Sequence, residues 1–232
     1  MKPFLFKQFS IQQSNSVFRV GTDGVLLGAA STVYNAINIL EVGTGTGLIS
    51  LMLAQRNHKA QIDAIDLSEE ASTLAEKNFG NSPFADRLNI FLQDYKTLHT
   101  KKKYDLIISN PPYFNENIST KDVIARQQTE LSFELLIKRS KDLLAKNGIF
   151  SVIIPFESGR IFEAYCNSSQ LYLHRRLVIY GIKDSKPKRL ILEFGLDEKE
   201  TSEEKIVIEK SPRKYSEAYL KLTEEFHQFI SS

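Results

Sequence analysis

The stretch INILEVGTGTG, residues 37–47, joins a short apolar run to three glycines at alternating positions. The apolar run predicts a buried strand, and a helical pattern, TGLISLMLAQR, follows it directly. Glycines at such a junction let the backbone turn sharply and let a ligand approach without obstruction by Cβ atoms. The first turn of the helix adds N–H groups that have no partner within the helix. We therefore expect a nucleotide-like ligand at the carboxyl end of this strand.

The spacing of the glycines narrows the choice of ligand. A dinucleotide-binding G-x-G-x-x-G loop would need glycine at position 48, where the chain has Leu48. The loop instead reads G-x-G-x-G and follows an acid, Glu41. A carboxylate there would repel a diphosphate, but it suits the cationic ammonium and sulfonium groups of S-adenosylmethionine. An NAD-dependent oxidoreductase is therefore the weaker alternative.

Alternation of short apolar runs with helical patterns continues downstream and predicts an α/β fold built on a mostly parallel sheet, with helices on both faces. After residue 155, strands follow one another without intervening helices, which favours antiparallel additions at the sheet edge. The runs expected to form strands are 37–42, 60–66, 88–94, 104–110, 149–155, 171–182, 188–195 and 204–210. The helix expected before the fifth of these covers 131–148 and ends at Asn147-Gly148.

We expect a single domain over residues 1–232, in three parts. Residues 1–35 form a lead-in, where 6–23 alternate like a hairpin and 24–31 like a short helix. Residues 36–155 are the cofactor-binding and catalytic core, and residues 156–232 hold the C-terminal strands and helix. The lead-in contains a glycine-rich turn, VGTDG, in which Asp23 either reaches the ligand or only precedes a core helix.

Acidic residues stand at the ends of the second and third predicted strands. Asp66, followed by Leu67, is placed to accept both hydroxyls of a ribose, and Asp94 lies where an adenine edge would be. Taken alone, Asp66 is equally well explained as the start of a helix cap, and Asp94 as a solvated loop residue. Their recurrence at successive strand ends favours the binding interpretation.

The fourth predicted strand ends in SNPPYF, residues 109–114. Two adjacent prolines stop a helix, remove two backbone donors and stiffen the loop. The side-chain oxygen of Asn110 and the carbonyl of Pro111 can accept both N–H groups of an exocyclic amine, which localises the nitrogen lone pair. Tyr113 offers a face for a flipped base and Phe114 a second wall. A rigid turn with exposed aromatics is the plainer alternative.

Together, ILEVGTGTGLISL, Asp66 and SNPPY resemble the class I, Rossmann-like S-adenosylmethionine-dependent methyltransferases that carry an Asn-Pro-Pro-Tyr/Phe motif after the fourth strand. Within that group, FKQFSIQQSNSVFRVGTDGVLLGAAS, residues 6–31, is similar to the bacterial tRNA1(Val) adenine-N6-methyltransferases, which modify the adenine 3′ of the anticodon, position 37. The resemblance implies a seven-stranded twisted sheet, S-adenosylmethionine as cofactor and tRNA as substrate. It implies catalytic roles for Asn110, Pro111, Pro112 and Tyr113, and cofactor contacts from Glu41, Gly43, Thr44, Gly45, Gly47, Asp66, Leu67, Asp94 and Asp23.

Basic residues supply candidates for RNA contacts. Arg126 either contacts phosphate or ties down the catalytic loop, and an ordinary surface arginine is the alternative. The stretch 171–190 is rich in Lys and Arg, with two tyrosines interleaved. A solvated edge hairpin protected by lysines is its competing interpretation. The candidates in this stretch are Arg175, Arg176, Lys186, Lys188 and Arg189.

Composition limits the remaining possibilities. With 42% hydrophobic and 25% charged residues, the chain is typical of a soluble globular protein, and its formal charge of +2 permits a nucleic-acid partner without requiring one. No membrane segment, signal peptide or metal-ligand spacing is evident, and Cys166 is the one cysteine, so we expect a cytoplasmic, metal-free protein. Related chemistry on guanine N2 of ribosomal RNA, adenine in DNA or a release-factor glutamine stays open, as does a non-catalytic RNA-binding protein.

Overall fold

The computed structural model describes residues 1–17, 19–111 and 132–227. Four predicted site residues, Pro112, Tyr113, Phe114 and Arg126, lie outside these ranges. The strands are β1 (Phe4–Leu5), β2 (Ser10–Ile11), β3 (Asn38–Val42), β4 (Gln61–Asp66), β5 (Leu88–Leu92), β6 (Tyr104–Ser109), β7 (Leu144–Pro155), β8 (Tyr172–Ile182), β9 (Pro187–Gly195), β10 (Ser202–Ser211) and β11 (Lys214–Tyr215). The described helices are α1 (Thr22–Ala30), α2 (Leu48–Arg56), α3 (Glu69–Gly80), α4 (Phe133–Leu143), α5 (Gly159–Ser168) and α6 (Glu217–Thr223).

The main sheet has the strand order β11-β10-β8-β9-β7-β6-β3-β4-β5. Strands β5, β4, β3, β6 and β7 run parallel to one another, so their carboxyl ends lie at one edge. After β3 the chain adds β4 and β5 on one side of β3, and it then crosses back to form β6 on the other side of β3. The crevice above β3 and β6 is therefore a topological switch point, where open α/β sheets bind ligands.

The C-terminal strands extend the sheet beyond β7. Strand β9 is antiparallel to both β7 and β8, as expected for edge additions, whereas β10 runs parallel to β8 and β11 turns back against β10. The prediction of a mixed α/β fold with a mostly parallel core sheet is confirmed. The sheet has nine strands in the described part of the chain rather than seven, because β10 pairs with the edge of β8 and β11 pairs in turn with β10.

Two local predictions were wrong in their limits. Helix α4 ends at Leu143, and Leu144 already pairs with Tyr104 of β6. The pairing then shifts so that Ile149 faces Leu106, which leaves Asn147-Gly148 inside an irregular part of β7 rather than at a helix cap. The N-terminal hairpin is formed by β1 and β2, and is earlier and shorter than the alternation over 6–23 suggested.

Buried apolar side chains form two clusters, one on each face of the sheet, and the first draws on the whole length of the described chain. Phe9 of the lead-in, Leu51 of α2, Ile206 of β10 and Phe226 after α6 belong to the same buried cluster on one face of the sheet. A second cluster, which includes Phe162 of α5, fills the opposite face. Within the described ranges, no helix combines the length and apolarity needed to cross a membrane.

Candidate active site

A cavity of about 680 Å³ opens at the carboxyl edge of β3, β4 and β6. Its walls come from the lead-in, the glycine loop and the loops after β4, β5 and β6. The predicted site residues that line it are Asp23, Gly43, Thr44, Gly45, Asp66, Leu67, Asp94, Asn110 and Pro111. Residues from widely separated parts of the chain therefore face one volume.

The three loop glycines all adopt a left-handed backbone. Their φ angles are 74°, 56° and 81° at Gly43, Gly45 and Gly47, a region that side chains with a Cβ rarely occupy. A Cβ on Gly43 would meet no atom within 4 Å, so this position is open toward the cavity. Gly47 does not line the cavity; a Cβ there would lie 2.5 Å from the buried ring of Phe79. The glycines thus serve two needs, an open wall at Gly43 and close helix packing at Gly47.

Glu41 lies beneath the loop rather than in the cavity wall. Its Oε2 atom accepts hydrogen bonds from Thr44 Oγ1 at 2.8 Å, from Ser50 N at 3.0 Å and from Ser50 Oγ. The side chain is 1% exposed, and its Oε1 atom has no hydrogen-bond partner among the described residues. Burial raises the pKa of this carboxyl to about 7, against the hydrogen bonds from Ser50 and Thr44. Glu41 therefore ties the glycine loop to the first turn of α2.

Asp66 and Asp94 hold their loops while facing the cavity. Asp66 accepts hydrogen bonds from Gly45 N and Ser68 N, both at 2.9 Å, so one carboxylate joins the glycine loop to the start of α3. Ser68 is the N-cap of α3 and accepts from Ala71 N. Asp94 accepts from Lys96 N at 2.8 Å. Asp66 thus supports the start of α3, as the alternative interpretation of the sequence held, Asp94 holds the loop after β5, and both also line the ligand cavity.

Asn110 and Pro111 reach the cavity because β6 ends beside β3. Ser109 Oγ donates to Val42 O at 2.9 Å, which fixes the end of β6 against the start of the glycine loop. Asn110 is half-buried and Pro111 buried. Asn110 and Pro111 therefore line the same cavity as the glycine loop.

Asp23 is joined to the C-terminal half of the chain. The Arg189 guanidinium donates to Asp23 Oδ2 at 2.8 Å, across 166 positions of sequence. The residues that line the cavity but were not predicted include Arg19 of the lead-in, Gln93 and Lys96. In the sequence these residues stand out only because they lie close to Asp23 or Asp94 along the chain. Other polar loop residues do so as well, and the sequence therefore could not single them out.

The predicted RNA-contacting residues fall into two groups. Arg175 contacts Glu204 at 2.7 Å and the buried Glu193 at 3.6 Å, and Arg176 contacts Glu163 and Glu203. These two guanidinium groups thus join neighbouring strands and α5. Lys186 and Lys188 are exposed instead, at the tip of the β8–β9 hairpin.

A glycine loop at the switch point, an acid after β4 and an Asn-Pro corner after β6 define a cavity of the class I methyltransferase type. The fold supports that class: a predicted O-methyltransferase, Atu636 from Agrobacterium tumefaciens, superposes with a TM-score of 0.68 at 18% identity, over 88% of this chain and 96% of the other. The N-methyltransferase NodS from Bradyrhizobium japonicum, solved with S-adenosyl-l-homocysteine, gives 0.54 at 16% identity, over 75% and 83% of the two chains.

The chain belongs to the methyltransferase small domain family, whose model matches residues 16–159. A relative from Flavobacteriaceae bacterium (strain 3519-10), named tRNA1(Val) (adenine(37)-N6)-methyltransferase, is 56% identical over 99% of this chain and 100% of its own length. A relative of the same name from Bacteroides fragilis (strain ATCC 25285) is 39% identical over 97% of each chain. The prediction of a methyltransferase of this family is confirmed.

S-adenosylmethionine is the expected cofactor of a chain in this family. The described residues fit it: the loop has no Cβ at Gly43, and three carboxylates, Asp23, Asp66 and Asp94, face the cavity. Carboxylates can receive an ammonium group and ribose hydroxyls, whereas they would repel a pyrophosphate.

Proposed function

We propose that this protein methylates the exocyclic N6 of an adenine in tRNA, at position 37, just 3′ of the anticodon, of tRNA1(Val). The observation that carries the proposal is the position of Asn110 and Pro111, which line the same cavity as the glycine loop and Asp66. The curated relatives matched over the whole chain bear the name of this reaction. A tRNA substrate also favours the cytoplasm as the site of action.

The chemistry requires an amine that is a poor nucleophile to be held in line with a methyl donor. S-adenosylmethionine supplies that methyl group on a sulfonium. The side-chain oxygen of Asn110 and the carbonyl of Pro111 accept the two N–H groups, which directs the nitrogen lone pair out of the plane of the base. Most of the rate enhancement then comes from alignment. The resemblance assigns the stacking face to Tyr113, with Pro112 stiffening the corner.

The described residues that line the cavity include no cysteine that could open a covalent route. Cys166 on α5 is fully buried, and burial raises the pKa of its thiol. Amine methylation needs no such group, because the alkylated nitrogen is strongly acidic and loses its proton to Asn110 or to water. The reaction is therefore compatible with the residues that line the site.

The decisive experiment measures methyl transfer from labelled S-adenosylmethionine to tRNA, ribosomal RNA, duplex DNA and a protein extract in parallel, followed by nucleoside mass spectrometry. We expect N6-methyladenosine in tRNA alone, at position 37, and a loss of at least about a hundredfold in kcat for Asn110→Ala with cofactor binding retained. The matched control is Asn38→Ala, because Asn38 is also a half-buried asparagine but lies at the start of β3, away from the cavity at the carboxyl end of that strand. Label in ribosomal RNA, DNA or protein instead would show that the substrate is not tRNA. Unchanged activity of the Asn110→Ala enzyme would show that Asn110 has no role in the mechanism.

A further inference from the structure

Two hairpin tips at the edge of the sheet carry six basic residues that the cavity does not use. The tip between β8 and β9 holds Lys183, Lys186 and Lys188. The tip between β10 and β11 holds Lys210, Arg213 and Lys214. We call these two segments, 183–188 and 210–214, the basic tips.

The pairing register places both basic tips at the same edge as the cavity. Ser109 at the end of β6 pairs with Val152 of β7, and Val152 pairs with Leu192 of β9. Lys186 lies six residues before Leu192 and, because β9 is antiparallel to β7, it lies beyond the end of β6. At about 3.3 Å per residue, the first tip projects roughly 20 Å past the level of Ser109. Strand β10 runs parallel to β8, so the second tip projects in the same direction.

The six side chains are exposed and available to a partner. None of them forms a salt bridge within the described ranges, whereas Arg175, Arg176 and Arg189 are all paired with carboxylates. The acids within the two segments and at their borders are Asp184 and Glu209. Glu209 accepts a hydrogen bond from Arg213 N at 3.1 Å. The tips therefore present a clear excess of positive charge to solvent.

The turn between β10 and β11 does not itself call for an arginine. Arg213 adopts φ 62°, a left-handed conformation that glycine or asparagine occupies at lower cost. Its side chain packs in no described aromatic or ionic contact. The Arg213 side chain is therefore left exposed at this tip, beside Lys210 and Lys214.

A second cavity lies beside the first tip. Lys186 lines this cavity, of about 640 Å³, together with Arg160, Phe156 and two acids, Glu157 and Glu163, the second of which is paired with Arg176. Phe156 directly follows β7, the neighbour of β6, and is 40% exposed. Single-stranded RNA that leaves the active site toward the tips would pass the exposed ring of Phe156 and the Arg160 guanidinium. An aromatic ring beside a cation is suited to binding single-stranded nucleic acid.

We propose that the basic tips bind the phosphate backbone of the tRNA outside the nucleotide that enters the cavity. This rests on the proposed function and extends it, because it assigns the path of the RNA along the sheet edge from β6 to β10. Four strand spacings separate β6 from β10, which is about 19 Å. The tips therefore bind RNA several nucleotides away from the reacting base and contribute affinity rather than chemistry.

The test compares two neutralised variants, Lys183→Gln/Lys186→Gln/Lys188→Gln and Lys210→Gln/Arg213→Asn/Lys214→Gln. A third variant, Lys59→Gln/Lys101→Gln/Lys146→Gln, removes three exposed charges at the opposite edge of the sheet and is the matched control. Binding of unmodified tRNA transcript is measured between about 50 and 200 mM salt, alongside binding of S-adenosylmethionine. Each tip variant should lose about tenfold or more in tRNA affinity at the low-salt end, with the slope of log K against log salt reduced by about 2 to 3.

The outcomes separate this inference from the proposed function. Weakened tRNA binding by both tip variants, with cofactor binding and the control variant unchanged, supports the inference. Tip variants that bind and methylate tRNA like the unaltered protein overturn the inference and leave the proposed function standing. If the unaltered protein neither binds nor methylates tRNA, the proposed function fails first. Equal loss in the control variant would show a general charge effect and would also overturn the inference.

Discussion

At the scale of single residues, Glu41 makes stability depend on pH. The carboxyl ionises near pH 4.5 in the unfolded chain and near 7 in the folded one, because burial disfavours its charge. Between these values the folded state holds the extra proton, so its stability falls as pH rises. Glu41→Gln keeps the shape and cannot ionise. Relative to the unaltered protein, its free energy of unfolding should rise by about 2 to 3 kcal/mol from pH 5 to pH 8.

Urea denaturation at the two pH values checks this prediction. Glu76→Gln, an exposed substitution on α3, is the control and should follow the profile of the unaltered protein. If Glu41→Gln and the unaltered protein gave parallel profiles, the Glu41 carboxyl would not take up a proton on folding, and the prediction would be wrong.

A second residue-scale prediction concerns two glycines of different surroundings. Gly47→Ala should destabilise the protein by about 2 kcal/mol or more, because φ is 81° and the new Cβ would lie 2.5 Å from the ring of Phe79. Gly80→Ala should change stability by no more than about 1 kcal/mol, since its Cβ would meet nothing within 4 Å. Thermal unfolding of both variants gives the comparison, and similar melting temperatures would contradict it.

At the scale of elements, a buried carboxylate holds α1 against the C-terminal strands. Glu193 of β9 is 2% exposed and accepts from Thr32 N and Thr32 Oγ1 at 2.7 and 2.8 Å, just after α1. Arg175 of β8 donates to Ala30 O at 2.9 Å and lies 3.6 Å from Glu193. Removing one member leaves the other charge poorly compensated.

We therefore expect Arg175→Gln to lower the free energy of unfolding by about 2 kcal/mol or more. Because this guanidinium is engaged within the fold, tRNA affinity should change far less than in the basic-tip variants. Lys205→Gln, an exposed change on β10, is the control for stability. A variant of normal stability that binds tRNA poorly would instead support direct RNA contact by Arg175.

At the scale of the whole molecule, we propose that residues 1–232 form one domain and predict a single cooperative unfolding transition. Asn78 of α3 donates to Thr46 O at 2.8 Å and to Gln12 O at 3.1 Å, so one buried amide joins the lead-in to the glycine loop. The core cluster containing Phe9 also contains Phe226. Calorimetric and van't Hoff enthalpies should agree. Two separate transitions, or early loss of the C-terminal strands alone, would contradict the one-domain proposal.

The amino-acid sequence by itself determined the features that depend on local pattern and spacing. The strand, the G-x-G-x-G loop and the helix after it follow from residues 37–56, because periodicity and glycine placement are local signals. The sequence also predicted that Asp66 and Asn110 would lie at one cavity, because the carboxyl ends of parallel strands meet at one edge.

Tertiary structure alone decided where charged side chains find their partners. The sequence of β8 does not distinguish Arg175, which contacts Glu193 and Glu204, from a cation left exposed. The two carboxylates belong to the neighbouring strands β9 and β10, whose register with β8 no local pattern predicts. The end of α4 likewise depends on the pairing of Leu144 with Tyr104 of β6, and the direction of β10 depends on its pairing with β8. Long-range pairing determines which cations remain available at the sheet edge, and no local pattern encodes it.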